Sequence, residues 1–133
     1  MDKNVKLALL PLDNRPISYL LPKQIANFSR INLILPERNN LGDLNRASGL
    51  IYLEKWLKDL SNIDALIISL DSLVYGGLVQ SRRHSFKSEE LKSRVDFLNN
   101  CRKRLWPHVP AIYGFSSVMR IPNYNGSEEE KDY

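Results

Sequence analysis

Two short stretches of the sequence concentrate the side chains that could do chemistry. Asp13, Asn14 and Arg15 stand together, and Asp71 directly follows the apolar run 67–70. A carboxylate at the mouth of a buried strand is partly desolvated and suits proton transfer, whereas a guanidinium grips a carboxylate or phosphate through two parallel hydrogen bonds. Asp13 and Asp71 are therefore the candidate catalytic residues, and Asn14 and Arg15 are candidate substrate-binding residues.

Further binding candidates follow Asp71 along the chain. Tyr75 could stack on a sugar, and the two glycines after it allow a close backbone approach to a ligand. A purely structural role is an equally simple interpretation. Asp, Asn, Gly and Pro are common in turns, and the arginines could be solvated surface charges. The full set of candidate substrate-binding residues is Asn14, Arg15, Tyr75, Gly76, Gly77, Ser81, Arg82 and Arg120.

The sequence lacks the motifs of common nucleotide and metal sites. No Gly-x-Gly-x-x-Gly follows a predicted strand, and there is no phosphate loop ending in Gly-Lys-Ser/Thr. Cys101 is the single cysteine, so an internal disulfide is excluded, and only His84 and His108 could join it at a zinc ion. We expect no cofactor and no metal, and we expect Cys101 to be a small buried hydrophobe on a helix.

Alternating strands and helices must position these residues. Apolar runs bounded by prolines or polar residues predict strands, and apolar residues at helical spacing predict the helices between them. Such alternation implies parallel strands joined by right-handed crossovers. The predicted strands cover 5–10, 31–35, 64–70 and 111–115, and the predicted helices begin at Pro22, cover 48–60, and extend from Ser88 to about residue 105.

The predicted fold class is α/β, a parallel sheet of alternating β-α units. It is either an open Rossmann- or flavodoxin-like sheet or half of a TIM-like barrel. In both architectures the loops that follow the strands share one rim, and ligands bind there. One face of the first helix would present Leu21, Ile25 and Phe28, and the buried stripe of the last helix would comprise Leu91, Val95, Leu98, Cys101 and Leu105.

Size and composition limit the classes of protein to consider. The 133 residues suit a single domain, 1–133, and 43% hydrophobic with 26% charged residues is typical of a globular chain. A net charge of +4 without a continuous basic face argues against nucleic-acid binding. No apolar stretch approaches the ~18 residues of a membrane span, and the amino terminus does not resemble a secretory signal. We therefore expect a cytoplasmic location and no membrane partner.

Several loop segments match the sequence pattern of a known family. They are Leu-Asp-Asn-Arg-Pro at 12–16, Leu-Pro at 21–22, Ser-Leu-Asp-Ser-Leu-Val-Tyr-Gly-Gly-Leu at 69–78, Ser-Arg at 81–82 and Met-Arg at 119–120. In these segments the chain resembles a bacterial family known as domain of unknown function 4127. The resemblance implies that the chain is the amino-terminal part of a longer protein, and it implies no activity. It also implies that one site contains Asp13, Arg15, Asp71, Tyr75, Gly76, Gly77 and Arg82.

These features predict a carbohydrate-active hydrolase, similar to a glycosidase. Asp71 and Asp13 would handle protons, while Arg15 and Arg82 would hold an acidic group of the substrate. Two alternatives stay open, a non-catalytic α/β domain that binds a small anion or regulates, and a metal-dependent phosphoesterase. The expected partner is a small molecule such as a sugar or an anion, together with a carboxy-terminal region of the same protein.

Overall fold

The computed structural model describes residues 4–104 and 106–118, and these form one parallel sheet with helices between its strands. The strands are β1 (Val5–Leu10), β2 (Ile31–Ile34), β3 (Ala65–Ser69) and β4 (Ala111–Phe115). They lie in the order β2-β1-β3-β4, and every neighbouring pair is parallel. The α/β class is confirmed. Of the two architectures, this order matches the open flavodoxin-like sheet, because a barrel places its strands in chain order.

Four helices and two short helical turns connect the strands. The last helix begins at Ser88 as predicted, while two helical segments that the sequence pattern does not predict lie between residues 71 and 82. No helix among the described residues is both long and apolar enough to cross a membrane. The segments are α1 (Pro16–Asn27), a 3₁₀ turn (Arg38–Asn40), α2 (Leu50–Asp59), a π-helical turn (Asp71–Tyr75), α3 (Leu78–Arg82) and α4 (Ser88–Arg104).

Helix α1 begins six residues earlier than the sequence pattern predicts. Pro16 opens it, because a proline at the first helical position has its φ preset and loses no hydrogen bond there. Pro22 instead lies inside the helix. The predicted apolar face of this helix is exposed, with Ile25 at 59% and Phe28 at 93% of full accessibility.

One face of the sheet carries the core. Ala8 and Leu10 of β1 stand in register with Leu66 and Ile68 of β3, and all four are buried. Each buried leucine or isoleucine contributes about 1.5–3 kcal/mol through removal of apolar surface from water. Cys101 is buried in this core, as predicted, and burial raises the pKa of its thiol. The core also includes Leu41, Leu53, Leu57, Ile63, Leu73 and Trp106.

Helix α4 packs on this core through its carboxy-terminal half only. Val95, one of the residues predicted for the buried stripe, is 44% exposed, and Leu105 lies outside the described residues. The amino-terminal half contacts the π-helical turn instead, where the Arg94 guanidinium donates to the carbonyl of Val74. The helix therefore braces the turn that follows β3, which explains why its apolar stripe is incomplete.

The strand order creates a crevice between β1 and β3. The chain leaves β1 toward β2 on one side, and it leaves β3 toward β4 on the other side. The loops that follow β1 and β3 therefore diverge at the carboxyl end of the sheet. In open α/β sheets ligands bind at such a switch point, so the loops after Leu10 and Ser69 form the candidate site.

Candidate functional site

The loop after β1 holds a carboxylate and a guanidinium locked onto each other. Asp13 is 5% exposed, and its two carboxylate oxygens accept hydrogen bonds from Arg15. The Arg15 Nε donates to Oδ2 at 2.7 Å, and the Arg15 backbone N–H donates to Oδ1 at 3.1 Å. The side chain of Arg15 is 46% exposed, so its terminal NH₂ groups reach solvent. Asp13 therefore aims Arg15 and neutralises part of its charge.

Asp71 opens the turn after β3 and is held differently. It is 5% exposed, and its Oδ2 accepts the backbone N–H of Ser117, which follows β4, at 2.7 Å. Its carbonyl oxygen accepts the N–H groups of Gly76 and Gly77, each at 3.1 Å. Within residues 4–104 and 106–118, no hydrogen bond reaches Asp71 Oδ1. Within the described chain, the Asp71 carboxylate is therefore held by one of its two oxygens.

The two glycines after Tyr75 are required by local geometry. Gly76 has φ +96° and Gly77 has φ +143°, conformations that side-chain-bearing residues rarely adopt. A Cβ on Gly76 would lie 2.7 Å from the Cβ of Ala47, and one on Gly77 would lie 2.6 Å from the Gln80 Oε1. The close approach that these glycines permit is to other parts of this chain. Their predicted contact with a ligand stays a prediction.

The segment 37–49 ties the two loops together. The carbonyl of Gly42 accepts the N–H of Asn14 at 3.0 Å, and Arg38 Nε donates to the carbonyl of Asn14 at 2.8 Å. On the other side, the Ser48 N–H donates to the carbonyl of Gly76 at 2.8 Å. Asn14, predicted to bind substrate, therefore uses its backbone to fasten the β1 loop to this segment.

Tyr19 supports the same segment from α1. Its hydroxyl donates to the carbonyl of Pro36 at 2.8 Å, and the Arg38 guanidinium lies 5.9 Å from the centre of its ring. Burial raises the pKa of Tyr19, the nearby Tyr52 raises it further, and the Arg38 charge opposes them. The neutral hydroxyl is the form that makes this hydrogen bond.

A small cavity lies where the loop after β1, the segment 37–49 and helix α3 meet. Its volume is about 40 Å³, and it mixes charged with apolar walls. Arg82 is the key member, because its Nε is buried and has no hydrogen-bond partner in the described chain. The cavity is lined by Asp13, Arg15, Asp43, Leu44, Leu78, Val79 and Arg82.

A larger hollow of about 250 Å³ adjoins this cavity. The two share Leu44 and Val79 as lining residues. Gln80 contributes a second unsatisfied atom, because its Oε1 is buried without a donor while its Nε2 donates to the carbonyl of Asp43 at 2.9 Å. The hollow is lined by Leu44, Asn45, Ala47, Val79, Gln80 and Arg83.

The structure brings together some of the predicted site residues and separates others. Asp13, Arg15 and Arg82 line one cavity. Ser81 is buried, and its hydroxyl donates to the carbonyl of Leu78 within α3 at 2.6 Å, so its polar group is already satisfied.

Tyr75 stands apart from that cavity. The Tyr75 ring packs on His84 with their centroids 4.9 Å apart, and Tyr75 does not line the cavity. Arg120 lies outside the described residues. Among the residues that the structure describes, no group of three or more His, Cys, Asp or Glu side chains could hold a metal ion.

Sequence reasoning missed the residues that complete the cavity. Asp43 and Leu44 belong to the polar connection that precedes α2, and Val79 and Gln80 belong to α3, which the sequence pattern does not predict. A signal did exist for α3, since Leu78 and Arg82 are four residues apart and face one side of a helix. For Asp43 the only hint was the preceding Gly42, which marks a tight turn.

Comparison with known proteins places the chain in a family. The model of the family described as "Protein of unknown function (DUF4127)" matches residues 7–133. Neither the comparison with curated proteins nor that with solved structures gives a match. The match confirms the resemblance seen in the loops around Asp13 and Asp71, and it extends over nearly the whole sequence. The chain therefore belongs to the DUF4127 family.

Proposed function

We propose that this domain recognises a small anionic ligand in the crevice between β1 and β3. The observation that carries the proposal is the Nε of Arg82, which is buried without a hydrogen-bond partner in the described chain while the residue lines a cavity. Leaving such a donor unsatisfied costs about 1–3 kcal/mol, and more for a charged group. An oxygen of an anionic ligand would remove that cost and supply the opposite charge.

In this proposal Arg15 and Arg82, the two arginines that line the cavity, contact the ligand through different atoms. Arg15 is paired through its Nε with Asp13, so it offers only its terminal NH₂ groups. The Arg82 Nε, by contrast, has no hydrogen-bond partner in the described chain, so Arg82 offers this atom directly. A guanidinium binds a carboxylate or phosphate with its NH groups in a fixed fork, so Arg82 would be the principal contact and Arg15 a secondary one.

Thermal unfolding tests the proposal. Acetate and inorganic phosphate, each compared with chloride at equal ionic strength, should raise the Tm of the 133-residue chain by several degrees. Saturation to about 100 times Kd contributes about 2.7 kcal/mol of stability. Arg82→Gln should abolish the shift. Arg104→Gln is the matched control, because Arg104 is an exposed arginine at the end of α4 and lines neither the cavity nor the adjoining hollow. Equal shifts for the two variants would contradict the proposal.

Acid–base hydrolysis is the second candidate, and a separate observation favours it. Asp71 is 5% exposed at the end of β3, and its Oδ1 accepts no hydrogen bond from the described residues. A carboxylate held by one backbone N–H can use its other oxygen to transfer a proton to or from a bound substrate. The substrate would be a glycoside of an acidic sugar, with its anionic group at Arg82. Asp13, engaged by Arg15 on both oxygens, would orient rather than exchange protons in this arrangement.

Chromogenic 4-nitrophenyl glycosides of neutral and acidic sugars provide the assay for this candidate. We expect turnover of the acidic members, and we expect Asp71→Asn to abolish turnover while it preserves anion binding. Unchanged turnover would eliminate Asp71 from the chemistry. A chelator should not affect a glycosidase, whereas it should inhibit a metal-dependent phosphoesterase acting on 4-nitrophenyl phosphate.

A further inference from the structure

The charges around the small cavity match a ligand head group with a single negative charge. Two carboxylates, Asp13 and Asp43, line the cavity along with the two guanidiniums. Asp43 is oriented by the N–H groups of Asn45 and Arg46, each 2.8 Å from its Oδ1. A doubly charged phosphate would meet both carboxylates at short range, which raises its energy in a partly buried site. A planar carboxylate carries one charge and matches the fork of Arg82.

The apolar walls indicate that the head group is attached to a carbon skeleton. Leu44 and Val79 line both the small cavity and the adjoining hollow of about 250 Å³. Leu44 is 59% exposed, so its apolar surface is open to a ligand in these hollows. A ligand with its head group at Arg82 would extend past Leu44 and Val79 into the larger hollow and cover their apolar surface.

Gln80 defines what the ligand body must offer. The amide orientation is fixed, because only its NH₂ can donate to the carbonyl of Asp43, and Oε1 is left buried without a donor. The absence of a Cβ on Gly77 makes this position possible, since a Cβ would lie 2.6 Å from Oε1. An amide oxygen only accepts hydrogen bonds, so the partner it lacks is a donor such as a hydroxyl group.

We propose that the ligand class is a hydroxy carboxylic acid that spans the two hollows. Its carboxylate binds Arg82 in the small cavity, its carbon chain packs on Leu44 and Val79, and one of its hydroxyls donates to Gln80 Oε1. This inference rests on the proposed function and narrows it from any small anion to a sugar acid or a related polyhydroxy acid. Gln80 and Gly77 become specificity-determining residues of the site.

Isothermal titration with two acids of equal length tests the inference. Gluconate and hexanoate both have six carbons and one carboxylate, and only gluconate carries hydroxyls. We expect gluconate to bind the wild-type chain at least tenfold more tightly than hexanoate or inorganic phosphate. Sorbitol, which has the hydroxyls without the charge, should not bind measurably.

Two variants assign the difference to the proposed atoms. Gln80→Leu should weaken gluconate about tenfold and leave hexanoate within twofold, while Arg82→Gln should abolish binding of both acids. Gln24→Leu on the exposed surface of α1 is the control and should change neither affinity. If Gln80→Leu fails to fold, the affinities of the wild-type chain for gluconate, hexanoate, phosphate and sorbitol still test the inference.

The outcomes separate this inference from the proposed function. Equal affinities for gluconate and hexanoate, or tighter binding of phosphate, would overturn the inference while Arg82-dependent binding still upheld the proposed function. A Gln80→Leu variant that weakens both acids alike would also overturn it. No binding of any anion would overturn the two together.

Discussion

The loop after β1 and the segment after β3 contain the same two kinds of charged side chain but use them in opposite ways. Asp13 and Arg15 are joined by hydrogen bonds at 2.7 and 3.1 Å, so each satisfies the other. Asp71 retains one carboxylate oxygen without a hydrogen bond in the described chain, and Arg82 retains a buried Nε without one. We infer from this difference that the first pair shapes the crevice, and we propose that the second region binds the ligand.

Segment 37–49 links the two regions, and its contact with Gly76 is the position where we expect a substitution to destabilise the protein most. A Cβ on Gly42 would lie 2.1 Å from the carbonyl oxygen of Gly76, a distance that forces backbone movement. We expect Gly42→Ala to lower the free energy of unfolding by about 3 kcal/mol or more, because backbone cannot give way cheaply. Urea unfolding monitored by circular dichroism provides the measurement.

Gly49→Ala is the matched control for this prediction. The nearest atom to a Cβ on Gly49 is 3.6 Å away, which is an ordinary contact, and its φ of −70° suits any residue. Gly49→Ala should lower the free energy of unfolding by less than about 1 kcal/mol, the usual effect of a substitution at a helix N-cap. Equal losses for the two glycines would show that the Gly42–Gly76 approach does not hold the regions together.

Replacing each carboxylate by an amide compares the two regions directly, and we expect smaller losses of stability than for Gly42→Ala. Asp13→Asn weakens two hydrogen bonds from Arg15 and removes an ion pair, so we expect a loss of about 1 kcal/mol after allowance for the exposure of the arginine. Asp71→Asn keeps an oxygen that can accept the Ser117 N–H, so its loss should be about half as large or less. If urea unfolding showed a larger loss for Asp71→Asn than for Asp13→Asn, it would contradict a structural role for Asp13 and a ligand-binding role for the segment after β3.

The smallest expected effect is the change in stability when Tyr19 ionises at alkaline pH. It reports on the contact of α1 with Pro36 and not on the segment after β3. The folded pKa of Tyr19 is raised above its ordinary value of 10.0, so its contribution to stability is fully present below pH 10 and is lost as the pH rises through the folded pKa. Wild type should therefore lose slightly more stability above pH 10 than Tyr19→Phe does. Parallel stability curves for the two proteins from pH 8 to 11 would contradict the raised pKa of Tyr19 in the folded chain.

Much of the fold was predictable from the sequence because its strands are local apolar runs. The runs that include Leu9, Ile67 and Ile112 each predict a strand, and all three are strands in the structure. The strand order was not predictable, since an open sheet and a barrel share the same alternation of elements. Helix α3 was missed because it spans only five residues and follows two glycines.

The candidate site was only partly predictable for a related reason. Residues that directly follow strands, such as Asp13 and Asp71, could be located because parallel strands end at one edge of the sheet. Asp43 and Gln80 could not, because they reach the site through the tertiary packing of segment 37–49 against α3. The roles of Tyr75 on His84 and of Ser81 within α3 likewise depend on contacts that spacing does not reveal.

The side-chain resonances of the two arginines offer the most direct test of the account. In a ¹H–¹⁵N spectrum each Arg Nε–H gives its own signal, and the variants Arg15→Lys and Arg82→Lys assign them. On titration with acetate, we predict a saturable downfield shift of the Arg82 Nε–H, which gains its first acceptor, and a much smaller change for the Arg15 Nε–H, already bound to Asp13. An Arg82 signal that does not move at saturating acetate would contradict the claim that this guanidinium binds the anion.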